Sequence, residues 1–228
     1  MVTEKELILG PRVPRELLQK ERQRFLMPTL FLGGAGLLLL ISIFLPYWSL
    51  TLYAPQYPKG LQMKVYVNRV TGDVNEIDEL NHYIGMRSLK EAAPLERSLS
   101  IIIVGAIGLL ALAAVYIHSP VAAFFAFPGF LYPLIFLGDL YFWMWNFGTH
   151  LDPRAPLSHA VKPFVPPLLG EGYVGQFKTV ASWDVGLWLA FLSSVLIIIG
   201  LYWHRKVYKP LLEQELLAKA KETSSKSA

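Results

Sequence analysis

His82 and Met86 stand close together in LNHYIGM, and Met63 precedes them in the same polar segment. Imidazole and thioether are a donor set suited to Cu(I), and the chain has no cysteine to compete for the ion. A solvated helical histidine with two core methionines accounts for the same letters, so both readings stand. Further along, His150, Asp152 and His159 follow at irregular spacing and would complete the site or receive the ion. Their alternative is a surface strap whose polar groups serve hydrogen bonds. Asp139 is the one charge inside a long apolar run, and an intramembrane carboxylate is a functional candidate by default. It would relay a proton, meet a metal, or tie its helix to Arg154 or Lys162. His118 and His204 end two other apolar runs; a bis-histidine b-type haem between them is weighed against interfacial histidines facing water. A c-type haem is excluded because its attachment needs cysteine. Gly-x-Ser-x-Gly, His-Glu-x-x-His, Walker and Gly-x-Gly-x-x-Gly templates are all absent, and the chain reads as non-enzymatic.

The elements that must position these residues follow from hydropathy. The chain has 228 residues, of which 54% are apolar and 17% charged. Its mean hydropathy is +0.40. Thr29–Leu50 and Leu99–Ile117 carry no charge, Val121–Phe147 carries only Asp139, and Trp183–Trp203 carries only Asp184. Each run has about the 20 residues that a helix needs to cross hydrocarbon. Continuous apolar runs of this length predict helices, which satisfy their own backbone polar groups in lipid. The expected fold is an α-helical integral membrane protein with four transmembrane helices and a small α+β extracytoplasmic loop domain. The first run is too long for a signal-peptide core, and Pro55 after Ala54 disfavours cleavage there, so it reads as a retained anchor.

Basic residues set the orientation. Lys5, Arg12, Arg15, Lys20, Arg22 and Arg24 precede the first run, and Arg205, Lys206 and Lys209 follow the last. Both termini are expected in the cytoplasm of a bacterium, with the chain in its inner membrane. The net charge of +4 is then spent on topology and anionic headgroups, not on nucleic acid. The organisation predicted is a cytoplasmic tail with an amphipathic helix at 1–28, spans at 29–52, 98–118, 121–147 and 183–204, and a cytoplasmic tail at 205–228. Between them lie an extracytoplasmic α+β domain at 53–97 and an extracytoplasmic Pro/Gly-rich strap at 148–182.

Within 53–97, Pro55 and Pro58 predict an extended entry. Met63, Val65 and Val67 alternate with polar partners as a half-buried strand. Thr71-Gly72-Asp73 reads as a turn, Asp73 with Glu76 as a capping box, and Val74, Ile77, Leu80 and Ile84 as a helical stripe stopped by Gly85. His82 falls on the opposite face of that helix. The strap reads as ordered but irregular, Pro128 and Pro133 as kinks in the third span, and KETSSKSA at 221–228 as disordered. Pro14 suits the first turn of a short helix before the first span, and 209–221 a second one.

The segments APQYPKGL, LNHYIGM, DLYFWMWNFGTHLDPRAP and PFVPPLLGEGYVGQF resemble a family of small, uncharacterised polytopic bacterial membrane proteins. Its members occur in copper-handling and nitrous-oxide reductase maturation gene contexts, and the resemblance spans about residues 28–205. It implies a copper context, transient copper at His82 and Met86, and periplasmic or membrane partners such as a copper enzyme or its chaperones. Three functions follow as expectations. The first is a membrane accessory protein for assembly or copper loading of a periplasmic or respiratory metalloenzyme. The second is a non-catalytic subunit or scaffold of a respiratory membrane complex, and the third a small transporter using Asp139.

Overall fold

The computed structural model describes residues 9–10, 13–157, 159–174 and 177–226. Pro14 precedes a short helix, α1 (Arg15–Lys20), and after Glu21 the chain turns into α2 (Arg22–Ser42). A second short helix, α3 (Val74–Ile84), lies between two long ones: α2 and α4 (Pro94–Ala113). Two more follow, α5 (Val121–Thr149) and α6 (Val185–Lys226). Among the described residues, four helices are long and apolar enough to cross a membrane: Arg22–Ser42, Pro94–Tyr116, Val121–Thr149 and Val185–Ala218.

Helix α2 stops well short of the expected span end at residue 52. Pro46 has no N–H to donate back to Ser42, and it disfavours helical backbone at Leu45. The Leu45 amide closes the helix instead, 3.0 Å from the Ser42 carbonyl. The apolar letters that follow form a strand. Helix α6 departs in the other direction. It runs through Pro210 and on to Lys226, where disorder and a separate tail helix were expected. Leu, Glu, Lys and Ala dominate that stretch and all favour helix. Residues 227 and 228 lie outside the described residues, as do 1–8 of the expected N-terminal tail.

The chain divides into two compact units. The helical unit comprises Met1–Leu40, Gly105–Leu131 and Phe191–Ala228. Its core holds small residues, with Ala35, Ala114, Ala122 and Ala126 buried beside Leu32 and Ile197. Small residues let helix backbones approach closely where lipid supplies no hydrophobic drive. A Cβ on Gly36 would lie 2.8 Å from the Gly108 carbonyl oxygen. Hydroxyls add cross-links: Ser193 Oγ donates to the Ala35 carbonyl and Ser194 Oγ to the Phe130 carbonyl, each at 2.9 Å.

The sheet-bearing unit comprises Ile41–Val104 and Tyr132–Ala190. Its five strands are β1 (Trp48–Ala54), β2 (Tyr57–Val65), β3 (Val70–Gly72), β4 (Gly170–Val174) and β5 (Phe177–Trp183). They form one sheet in the order β3-β2-β1-β5-β4, with every pairing antiparallel. The central strand β1 comes from the first inter-helix segment, and its partner β5 from the second. Trp48 faces Trp183 and Leu50 faces Ala181. The second segment, expected to be irregular throughout, thus ends in a hairpin.

Alternation on β1 buries Trp48, Leu50, Leu52 and Ala54 on one face. Leu61 and Met63 of β2, Phe177 and Ala181 of β5, Val74, Ile77 and Ile84 of α3, and Met144 of α5 join them in one core. Helix α3 begins and ends where the stripe and Gly85 place it, with Gly85 at φ +81°. Asp73 does not make the expected capping box. Its carboxylate accepts the Gln62 amide at 2.8 Å, tying the helix start to β2.

Tyr47 anchors the unit and is fully buried. Its hydroxyl lies 2.7 Å from Ser42 Oγ, and its ring packs on Phe136 at 4.6 Å and Tyr132 at 6.0 Å. Burial pushes its phenol above the ordinary tyrosine value, so it stays protonated.

Candidate functional site

Gly85 is where the two inter-helix segments meet. Its carbonyl accepts the Asp152 amide at 2.8 Å, and the Tyr83 carbonyl accepts the Leu157 amide at 2.9 Å. A Cβ on Gly85 would sit 2.6 Å from the Asp152 carbonyl oxygen, so the docking needs glycine for space as well as for its positive φ. One turn earlier on α3, His82 is exposed. The two backbone bonds at Gly85 and Tyr83 lie beside it, so His82 and Asp152 stand at one junction, one candidate from each segment.

The Asp152 carboxylate is mainly engaged by its own turn. It accepts the Arg154 amide at 2.9 Å and the Arg154 Nε at 3.2 Å. These bonds hold its carboxyl below the usual aspartate range, with His82 contributing in the same direction. His150 is exposed beside Trp145, with its ring 5.6 Å from the indole. Its Nδ1–H donates to the Asn146 carbonyl at 3.0 Å, which leaves the ring lone pair on Nε2. His159 is exposed on the turn after Leu157.

The methionines lie elsewhere. Met63 is buried in the core and Met86 packs against that core, while His82 looks away from it. Among the described residues, no three His, Cys, Asp or Glu side chains converge as a metal site.

Beneath the sheet lies a cavity of about 330 Å³. Trp48 and Leu52 of the sheet, Ile77 and Ile84 of α3, Val104 of α4, and Phe136 and Phe147 of α5 line it, along with Met63 and Met86. Asp139 also lines it, with Glu96 and Arg97 from the first turn of α4. Arg154, one partner expected for Asp139, is paired with Asp152. Among the described residues no basic group comes within ion-pair distance of Asp139. Its neighbour Trp143 interacts with the carboxylate, yet the buried Trp143 Nε1 closes no hydrogen bond. No family model, curated protein or solved structure matches this chain.

The last two histidines lie in the helical unit. His204 is buried, and its Nε2–H donates to the Ile117 carbonyl at 2.7 Å. The Tyr208 ring stacks on His118 at 4.2 Å and packs against His204 at 4.8 Å. With His204 Nε2 on a carbonyl and the phenol against both rings, the pair is a packed structural cluster.

Sequence reasoning missed two parts of this geometry. Glu96 and Arg97 belong with Asp139, although they read as the tail of a polar segment. Tyr47 and Trp48 read as the end of a span, and the one available signal was Pro46 before them.

Proposed function

We propose that this chain is a membrane protein of the bacterial inner membrane, with both termini cytoplasmic. On this reading it is a non-enzymatic accessory factor for assembly or copper loading of a periplasmic or respiratory metalloenzyme. The observation that carries the reading is the joining of two inter-helix segments into one sheet, locked at the Gly85–Asp152 contact. Loops that only connect helices have no need of a shared core. A folded module held by membrane helices is suited to receiving a partner on a fixed platform. The junction that carries His82 and Asp152, with His150 exposed on the same segment as Asp152, supports a transient two- or three-donor copper contact completed by the partner. Met63 is buried and supports that surface from within, whereas Met86 is only half-buried and stays in the candidate donor set.

The test is gentle purification from the native membrane, followed by elemental analysis, an optical spectrum and identification of co-purifying proteins. Copper near one equivalent together with a metalloenzyme or its chaperone is expected. A larger respiratory complex without metal would move the reading to a non-catalytic scaffold. A bare monomer without metal or partner would sink both. Within the copper reading, His82→Ala combined with Met86→Ala is expected to lose Cu(I), and undiminished binding would remove those two residues from the site.

A second reading, a small transporter, draws on one observation: Asp139 is half-buried against the cavity without a basic partner. Asp139→Asn would then abolish proton-coupled uptake in proteoliposomes, and an unaffected variant would end that reading.

A further inference from the structure

The cavity under the sheet is apolar on most sides and charged on one. Glu96 and Arg97 on α4 and Asp139 on α5 supply that charged side, while Arg69, which also lines the wall, is engaged by Asn68 Oδ1 at 3.1 Å and by the Tyr66 ring. Arg97 Nη1 is committed to the carbonyls of Lys90 at 3.0 Å and Ala92 at 3.5 Å. Among the described residues, its Nη2 and Nε meet no acceptor. Ala93, also on the cavity wall, is held at φ +50°, the one positive φ at a non-glycine among the described residues. Backbone strain of this kind persists where surrounding structure over-determines it, as at ligand clamps. The charged side is therefore two carboxylates that lack a cation beside a guanidinium with spare donors. The rest of the wall asks for hydrocarbon, and the volume falls at the low end of the roughly 300–1,000 Å³ of small-molecule sites.

We propose that this cavity holds an acyl chain of a zwitterionic aminophospholipid, with its headgroup phosphate on Arg97 and its ammonium on Glu96 and Asp139. The inference rests on the membrane reading above and is independent of copper. An anionic lipid or free fatty acid would set like charge against the two carboxylates. A choline headgroup would bring a cation with no N–H to donate. Ethanolamine supplies both the charge and the hydrogen bonds.

The experiment is native mass spectrometry of the full-length, delipidated protein in detergent, titrated with phosphatidylethanolamine, phosphatidylcholine and phosphatidylglycerol of matched chains. Phosphatidylethanolamine is expected to be retained at about tenfold lower concentration than either competitor. Glu96→Gln with Asp139→Asn should erase that preference while leaving chain binding, and Arg97→Gln should weaken all three phospholipids. Equal retention of the three lipids by the wild type would overturn the proposal, as would a preference that survives the double substitution. A carbonate wash of the source membranes separates the two levels of the argument. A protein released by the wash refutes the membrane reading itself, whereas a retained protein without lipid preference refutes only the ligand.

Discussion

The Asp152 amide and the Gly85 carbonyl are joined at 2.8 Å, so the second inter-helix segment is pinned to the C-terminus of helix α3. Gly85→Ala attacks that joint twice, through the positive φ and through the 2.6 Å approach to the Asp152 carbonyl oxygen. A loss of about 1–3 kcal/mol is expected. Thermal unfolding in detergent should fall accordingly, and hydrogen exchange should rise first at the amides of Asp152 and Leu157. Unchanged protection at those two amides would show that the joint is not needed to hold the segment.

Tyr47 offers a graded test. Tyr47→Phe removes only the hydroxyl, with its bonds to Ser42 and Tyr132, and should cost about 0.5–1.5 kcal/mol per bond lost. Tyr47→Ala also empties the space against Phe136 and Tyr132 and should cost about 3–5 kcal/mol. Equal losses in the two variants would mean that the ring's packing contributes nothing.

The Asp152–Arg154 turn should be acid-sensitive. The folded state lowers the pKa of Asp152, so its contribution is present above the unfolded value near about 4 and disappears as pH falls through the depressed folded value. Exchange at the Arg154 amide, compared with intrinsic rates, should accelerate across that acid window. Asp152→Asn should remove the pH-dependent part. An identical acid profile in wild type and variant would place the sensitivity elsewhere.

Ala93 carries a conformational cost that glycine would not. Ala93→Gly should stabilise the protein by about 1 kcal/mol, since left-handed backbone is disfavoured for residues with a Cβ. If a calorimetric scan shows a lower midpoint instead, the alanine methyl contributes more to the cavity wall than its backbone costs.

The legible parts of this fold are those with local rules. The stripe Val74, Ile77, Ile84 and the stop at Gly85 mark α3 to the residue. The four long helices follow from apolar runs that carry at most one charge each. Strand β1 was hidden because Trp48–Ala54 continues the apolar text of α2, and hydropathy cannot separate a lipid-facing helix from a strand buried in a core. Its pairing with β5 was hidden for another reason. Thr179 and Ala181 make a weak alternation, and the partner lies far along the chain. Of the candidate site, the exposure of His82 could be read from its helix position, whereas its approach to Asp152 required the fold. The burial of Met63 followed from its strand, but the gathering of Glu96, Arg97 and Asp139 is a product of helix packing alone.

The pairing of β1 with β5 also constrains how the protein is made. Ser49 and Ser182 hydrogen-bond across the sheet from positions 133 residues apart. The middle strand of the sheet therefore emerges from the ribosome long before the strand that completes it. Until α5 and the second inter-helix segment have been synthesised, β1 has one open edge and an uncovered apolar face. Such an edge is a template for wrong pairing. Translation speed between the first and third long helices, or a chaperone that covers the nascent hairpin, would then govern yield more strongly than the stability of the finished protein.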